Sequence, residues 1–315
     1  MTLARGRGSA SEARGARFLD PGVLQRIGNL ELVAQGVVEG FLHGVHASPH
    51  VGQSLDFAEH RQYVPGDDPR RVDWRVLART DRFYLKEFEA ETHANVTVIL
   101  DRSRSMAFGS QEISKLDYAR FLAASLAYLA RLQGDRIGAV TFDSSVRDFV
   151  PCSARHLDRV LVALDRSEAE VAGELPTALT AMAERPRPRG ILVLVSDLYL
   201  EPEELRRPIS LLRAAGNDVL VFQVLDPAEI AFPYEEALTV EDLETGERLP
   251  ITPDRMREEY GELMKDHVEG VGRVLSRSGA DHVLMDTSRP LDLALARYLS
   301  ARRHRGRRGR WASPS

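Results

Sequence analysis

Two runs of β-branched and aliphatic residues restrict the fold of this chain more than any other feature: Val96-Thr97-Val98-Ile99-Leu100 and Ile191-Leu192-Val193-Leu194-Val195. Neither run alternates with charged residues, which is the pattern of a strand buried on both faces. Such strands belong in a parallel sheet with helices on both sides. The first run ends abruptly in Asp101-Arg102-Ser103-Arg104-Ser105-Met106, and helical spacing follows from Ser114 to about Leu132. The second ends in Ser196-Asp197. In open α/β sheets, ligands bind beyond the carboxyl ends of the strands. The Asp-x-Ser-x-Ser spacing puts a carboxylate and two hydroxyls at alternate positions of one tight loop. A hard divalent cation such as Mg²⁺ takes oxygen ligands of this kind. The plainer reading of the same residues is a helix cap, which Ser and Asp commonly provide at strand-to-helix junctions.

From Asn95 onward, strand patterns alternate with helix patterns, which predicts an α/β fold with a mostly parallel sheet flanked by helices. The strands predicted are Asn95–Leu100, Arg136–Phe142, Ile191–Ser196, Asp218–Val224 and His282–Met285, with Val146–Val150 as an edge strand paired near Thr141. The helices predicted are Ser114–Leu132, Ala154–Leu164, Pro176–Glu184, Pro202–Ala215, Pro253–Ser278 and Pro290–Ala301. Ala237 to Ile251 reads as a hairpin turning at Thr245-Gly246. Upstream, apolar spacing predicts a helix from Pro21 to about Glu39. The Gly- and His-containing stretch Gly36 to Gly52 reads as loop or irregular strand. The expected organisation is a flexible arm over 1–19, an N-terminal α+β appendage over 20–91, the α/β domain over 92–301 and a basic flexible tail over 302–315.

The Asp101 loop resembles the metal-ion-dependent adhesion site of von Willebrand factor A domains. That resemblance implies ligands from three loops: Asp101, Ser103 and Ser105 from the first and Asp197 as the distal aspartate. The middle loop should supply a threonine. Gly173 falls at the expected place, and Thr177 lies about one helical turn later. The implied metal set is therefore Asp101, Ser103, Ser105 and Asp197, with Thr177 as the candidate fifth donor. Mg²⁺ bound there would be held weakly, and Gly173→Thr is expected to strengthen the binding.

With 315 residues and 43% hydrophobic content, the chain is long enough for one large domain with an appendage. Net charge is −5, which excludes a strongly basic nucleic-acid binder. The balance is uneven, because six arginines between Arg302 and Arg310 leave a body with 36 basic and 47 acidic residues. The single cysteine, Cys152, permits no intramolecular disulfide and fits a reducing compartment. No run approaches the roughly 18 apolar residues of a membrane helix. The opening residues lack the apolar core of a secretory signal. A cytoplasmic protein is expected.

A second motif is longer and more specific: Arg61-Gln62-Tyr63-Val64-Pro65-Gly66-Asp67-Asp68-Pro69-Arg70-Arg71-Val72-Asp73-Trp74-Arg75, followed by Tyr84-Leu85-Lys86-Glu87-Phe88-Glu89. It resembles the hallmark of bacterial domain of unknown function family 58, and the likeness extends over roughly residues 20–300. The resemblance implies a von Willebrand A-like domain behind a family-specific N-terminal region. It also implies action beside a MoxR-type AAA+ ATPase in assembling or activating a client protein complex.

Two functions from different classes follow. One is a non-enzymatic adaptor whose metal site accepts a partner's carboxylate. The other is a metal-dependent hydrolase or phosphatase-like enzyme, because a strand ending in Asp is also how some phosphatases present a nucleophile. Those enzymes need a second acid two residues on, where this chain has Ser103. No Gly-x-Gly-x-x-Gly follows a strand, and there is no Gly-x-x-x-x-Gly-Lys-Ser/Thr phosphate loop. His60, His93, His267 and His282 lack metal-ligand spacing. The adaptor reading is therefore preferred.

Overall fold

A computed structural model describes residues 21–26, 28–47, 60–62, 83–86, 93–185, 188–236, 238–241, 248–251 and 253–309. The expectations for the arm over 1–19 and for the Thr245-Gly246 turn lie outside these residues. The strands, in chain order, are β1 (His60–Gln62), β2 (Tyr84–Lys86), β3 (Asn95–Asp101), β4 (Arg136–Phe142), β5 (Val146–Ser153), β6 (Ile191–Ser196), β7 (Asp218–Leu225), β8 (Leu238–Glu241), β9 (Arg248–Ile251) and β10 (Asp281–Asp286).

The main sheet has the order β10-β7-β6-β3-β4-β5. Its pairs are parallel except β4 with β5. The order explains the sequence pattern. β3 and β6 lie side by side at the centre, and all residues of β6 and all but Asn95 of β3 are buried. At the rims, β5 and β10 carry exposed residues among half-buried and buried ones, as strands with a partly solvated face do. The chain lays down β3, β4 and β5 in one direction and then returns past β3 to add β6, β7 and β10. The reversal lies between β3 and β6, so their carboxyl ends flank the switch point of the sheet.

Helices cover both faces of this sheet. On one side Leu179, Ile209, Leu212, Val271 and Leu275 pack with Ile99, Val140, Leu192, Leu194 and Val221 in one core. The helix Lys115–Leu132 buries Tyr118, Leu122, Leu126 and Leu129 completely. Each such side chain contributes about 1.5–3 kcal/mol of transfer free energy. Ser114 caps this helix, its hydroxyl oxygen accepting the Asp117 N–H at 3.1 Å. The hairpin β8–β9 pairs Leu238 with Ile251 and Val240 with Leu249, as expected.

The N-terminal helix differs from expectation. It is broken into Pro21–Gln25 and Leu30–Ala47. Gly28 at φ +63° makes the break, and the Asn29 side chain accepts the N–H groups of Glu31 and Leu32 at 2.9 and 3.1 Å to start the second helix. That helix runs through Gly36, Gly40 and Gly44, where loop or irregular strand was expected. Burial of Leu30, Val33, Ala34, Val37, Val38 and Phe41 along one stripe outweighs the cost of about 1 kcal/mol per glycine. The domain boundary moves accordingly. One compact unit joins the first helices, up to Phe41, with everything from His93 onward. The second is Leu42–Thr92, in which β1 and β2 form an antiparallel ribbon with Arg61 opposite Leu85.

The C-terminal end differs too. The last helix spans Asp292–Gly309, so residues 302–309 are helical where a tail was expected. At its position 302 the helix is tied to Asp135, whose side chain is fully buried. Arg302 donates to it from Nε at 2.6 Å and from Nη2 at 3.0 Å, and Tyr298 adds its hydroxyl at 3.2 Å. Losing one partner of a buried pair strands the other charge. Arg302→Ala should therefore lower unfolding free energy in urea by about 3 kcal/mol. Arg273→Ala, which breaks only an exposed pair with Glu269, should change it by less than about 0.5 kcal/mol.

Candidate functional site

The end of β3 is shaped by the side chain of Asp101, which is 4% exposed. Its Oδ1 accepts the Ser103 N–H at 2.8 Å, folding the loop back on itself. Its Oδ2 accepts the Ser196 hydroxyl at 2.6 Å, tying the ends of β3 and β6 together. Ser196 Oγ in turn accepts the Leu198 N–H at 3.1 Å. Leu198 is held at φ +58°, a costly conformation for a branched side chain and one typical of functional sites. The hydroxyls of Ser103 and Ser105 lie 3.1 Å apart. Burial pushes the Asp101 carboxyl up to about 7, and the charge of Asp197 adds to the rise against the hydrogen bonds from Ser196 and Ser103.

The middle loop is fastened to the first by backbone bonds. Arg104 donates its N–H to the Val171 carbonyl at 2.9 Å, and its Nε reaches the Glu170 carbonyl at 2.9 Å. Glu174 N–H reaches the Asp143 carbonyl at 3.1 Å. Asp143 pairs with Arg147 at 2.6 Å and with Arg102 at 3.6 Å. These bonds press Gly173 against Ser103: a Cβ on Gly173 would come 2.6 Å from Ser103 Cβ.

Asp197 is 2% exposed, and its Oδ2 accepts from Lys115 Nζ at 2.8 Å. Lys115 is fully buried and also donates to Glu229 Oε1 at 2.7 Å. The Tyr199 ring lies over the ammonium at 4.7 Å from its centroid. Glu229 is fixed independently, because its other oxygen accepts the Asp226 N–H at 2.8 Å in a capping box.

Asp101, Ser103, Ser105 and Asp197 are thus brought to one end of the sheet, as the spacing predicts. Thr177 is not joined to them: its exposed hydroxyl donates to Glu174 Oε2 at 3.2 Å. Gly173 occupies the place beside Ser103, where an added Cβ would meet the Ser103 side chain. Sequence reasoning missed three participants. Ser196 stood next to Asp197 in plain view. Lys115 and Glu229 carried no local signal, being 82 and 114 residues from their partners.

Mg²⁺–oxygen bonds of about 2.1 Å put neighbouring ligands of an octahedron about 3 Å apart, and the Ser103 and Ser105 hydroxyls have that separation. Asp101 and Asp197 supply negative charge. One protein oxygen is missing at Gly173, and one oxygen of Asp197 is engaged by Lys115. The residues therefore fit a cation held mainly by hydroxyls and water. Among the described residues, no group of three or more His, Cys, Asp or Glu side chains is arranged to hold a metal.

Residues 59–270 match the family described as protein of unknown function DUF58. The chain belongs to that family. Uncharacterised proteins of Mycobacterium tuberculosis and Mycobacterium bovis are each 30% identical to it over 291 residues, covering 90% of this chain and 91% of theirs. An uncharacterised protein of Mycobacterium avium is 31% identical over 163 residues, half of this chain and 95% of its own. Among solved structures, the conserved hypothetical protein BatB of Bacteroides thetaiotaomicron aligns over 66% of this DUF58 chain and 97% of its own. The identity there is 16% and the TM-score 0.46. An aerotolerance-related membrane protein of Bacteroides fragilis aligns over the same 66% at 16% identity and a TM-score of 0.47. At these scores neither adds to what the strand order already gives.

Gly173→Ala isolates the close approach in this DUF58 member. It should lower stability by about 1–3 kcal/mol, as overpacking does, with no gain in Mg²⁺ affinity by calorimetry. A variant as stable as the parent would show that the middle loop has room to spare.

Proposed function

We propose that this protein is a non-enzymatic docking module whose binding face is the carboxyl end of the main sheet. The observation that carries the reading is the state of the two aspartates at the switch point. Asp101 has an oxygen committed to Ser103 N–H and another to Ser196, and Asp197 has one committed to Lys115. A cation beside Ser103 and Ser105 would then have few protein ligands and keep open coordination positions. The chemistry it would supply is attraction for an incoming carboxylate. Mg²⁺ gives up water reluctantly, so occupancy is expected at millimolar concentration or with an acidic partner bound.

The partner favoured by the family resemblance is a MoxR-type AAA+ ATPase or its client, met in the cytoplasm. No helix among the described residues is long and apolar enough to cross a membrane. The adaptor reading is also supported by what surrounds Asp101. Its neighbours are the Ser196 hydroxyl, the Ser103 N–H and hydroxyl, and a second acid, Asp197.

The test is capture of a purified MoxR-type ATPase, with Mg²⁺ and with chelator, by the parent, by Asp101→Asn and by Ser103→Ala. Asparagine keeps an acceptor for Ser196, so both variants should melt within a few degrees of the parent while losing at least about tenfold in affinity. Equal capture by all three would contradict docking at this end of the sheet. Hydrolysis of a phosphoester or peptide by the parent, abolished in both variants, would favour the metal-dependent hydrolase instead.

A further inference from the structure

A lysine at the first position of a helix is in an unfavourable place. Helix amino ends repel cations, and burial disfavours an ammonium. Lys115 is nonetheless the first residue of the helix Lys115–Leu132 and is 0% exposed. Only strong partners can hold a charge there. Asp197 at the end of β6 and Glu229 in the turn after β7 lie 2.8 and 2.7 Å from its ammonium, and the face of Tyr199 covers it. Asp197 and Glu229 arrive from two different strand ends, and both are clamped by this single cation.

We propose that Lys115 is the positioning residue of the site: its ammonium fixes Asp197 to Glu229 and supplies, from within the chain, positive charge that this end of the sheet would otherwise draw from a bound ion. The carboxyl end of the sheet is then built without metal, and a divalent cation is an addition at the serine hydroxyls rather than a structural requirement. The inference rests on the ion-pair geometry alone and stands whether or not the docking reading holds.

A purely structural lysine and a charge-supplying one make different predictions for Lys115→Met, which keeps the length of the side chain and removes its charge. Both lower thermal stability. Only the second frees two carboxylates for a cation. Mn²⁺ binding, followed by electron paramagnetic resonance, should be weak in the parent, and the parent's melting temperature should be the same in chelator and in Mn²⁺. Lys115→Met should bind Mn²⁺ at least about tenfold more tightly and recover part of its melting temperature when the ion is added. Parent-like Mn²⁺ affinity in Lys115→Met would overturn the proposal, as would a parent that loses stability in chelator. Should Lys115→Met fail to fold, the triple variant Lys115→Met, Asp197→Asn, Glu229→Gln decides. Restored folding supports the clamp, because removing the cation with both of its acids leaves no charge stranded. A triple variant as unfolded as the single one overturns it.

Discussion

Two buried carboxylates at the switch point of a parallel sheet are the constraint to which the rest of this site answers. Asp101 and Asp197 end adjacent strands whose apolar residues are sealed by helices on both faces. Neither can move to solvent without disturbing the core. Their mutual repulsion and burial are met locally. Ser103 N–H and the Ser196 hydroxyl bond Asp101, the Asp101 carboxyl shifts toward neutrality, and Lys115 neutralises Asp197. Left unmet, a buried unpaired charge costs several kcal/mol, a large share of a domain's stability.

Those local answers explain the shape of the loops. Ser196 bonds both Asp101 and the Leu198 N–H, which holds Leu198 in its left-handed conformation and sets Tyr199 over the ammonium. The middle loop approaches so closely that only a glycine fits at position 173. The Ser103 and Ser105 hydroxyls lie 3.1 Å apart at the same end of the sheet, and the docking proposal places its cation beside them.

Much of the fold was legible in the sequence because it is written at short range. The runs at Val96–Leu100 and Ile191–Val195 name the two central strands, and alternation of strand and helix patterns names the class. The parts that were not legible depend on tertiary context. Gly36, Gly40 and Gly44 argue locally for loop, yet one buried stripe from Leu30 to Phe41 keeps the helix whole. Arg302 reads as the start of a disordered basic tail until Asp135, 167 residues earlier, is seen beneath it. At the site, the Asp-x-Ser-x-Ser loop and Asp197 were readable because each sits at its own strand end. Lys115 was not, because nothing in the sequence around Ser114 says that the helix begins under two distant acids. Gly173 packs closely against Ser103, a contact between two loops that no local pattern in the sequence announces.

The most direct measurement is nitrogen-15 NMR of the lysine ammonium groups in the intact protein. An ammonium clamped by two buried carboxylates exchanges its protons slowly and is seen as a protected signal. The account predicts one such signal, lost in Lys115→Met and unmoved when Mg²⁺ is replaced by chelator. Absence of a protected ammonium, or a signal that exists only in the presence of Mg²⁺, would contradict a site whose charge is balanced from within.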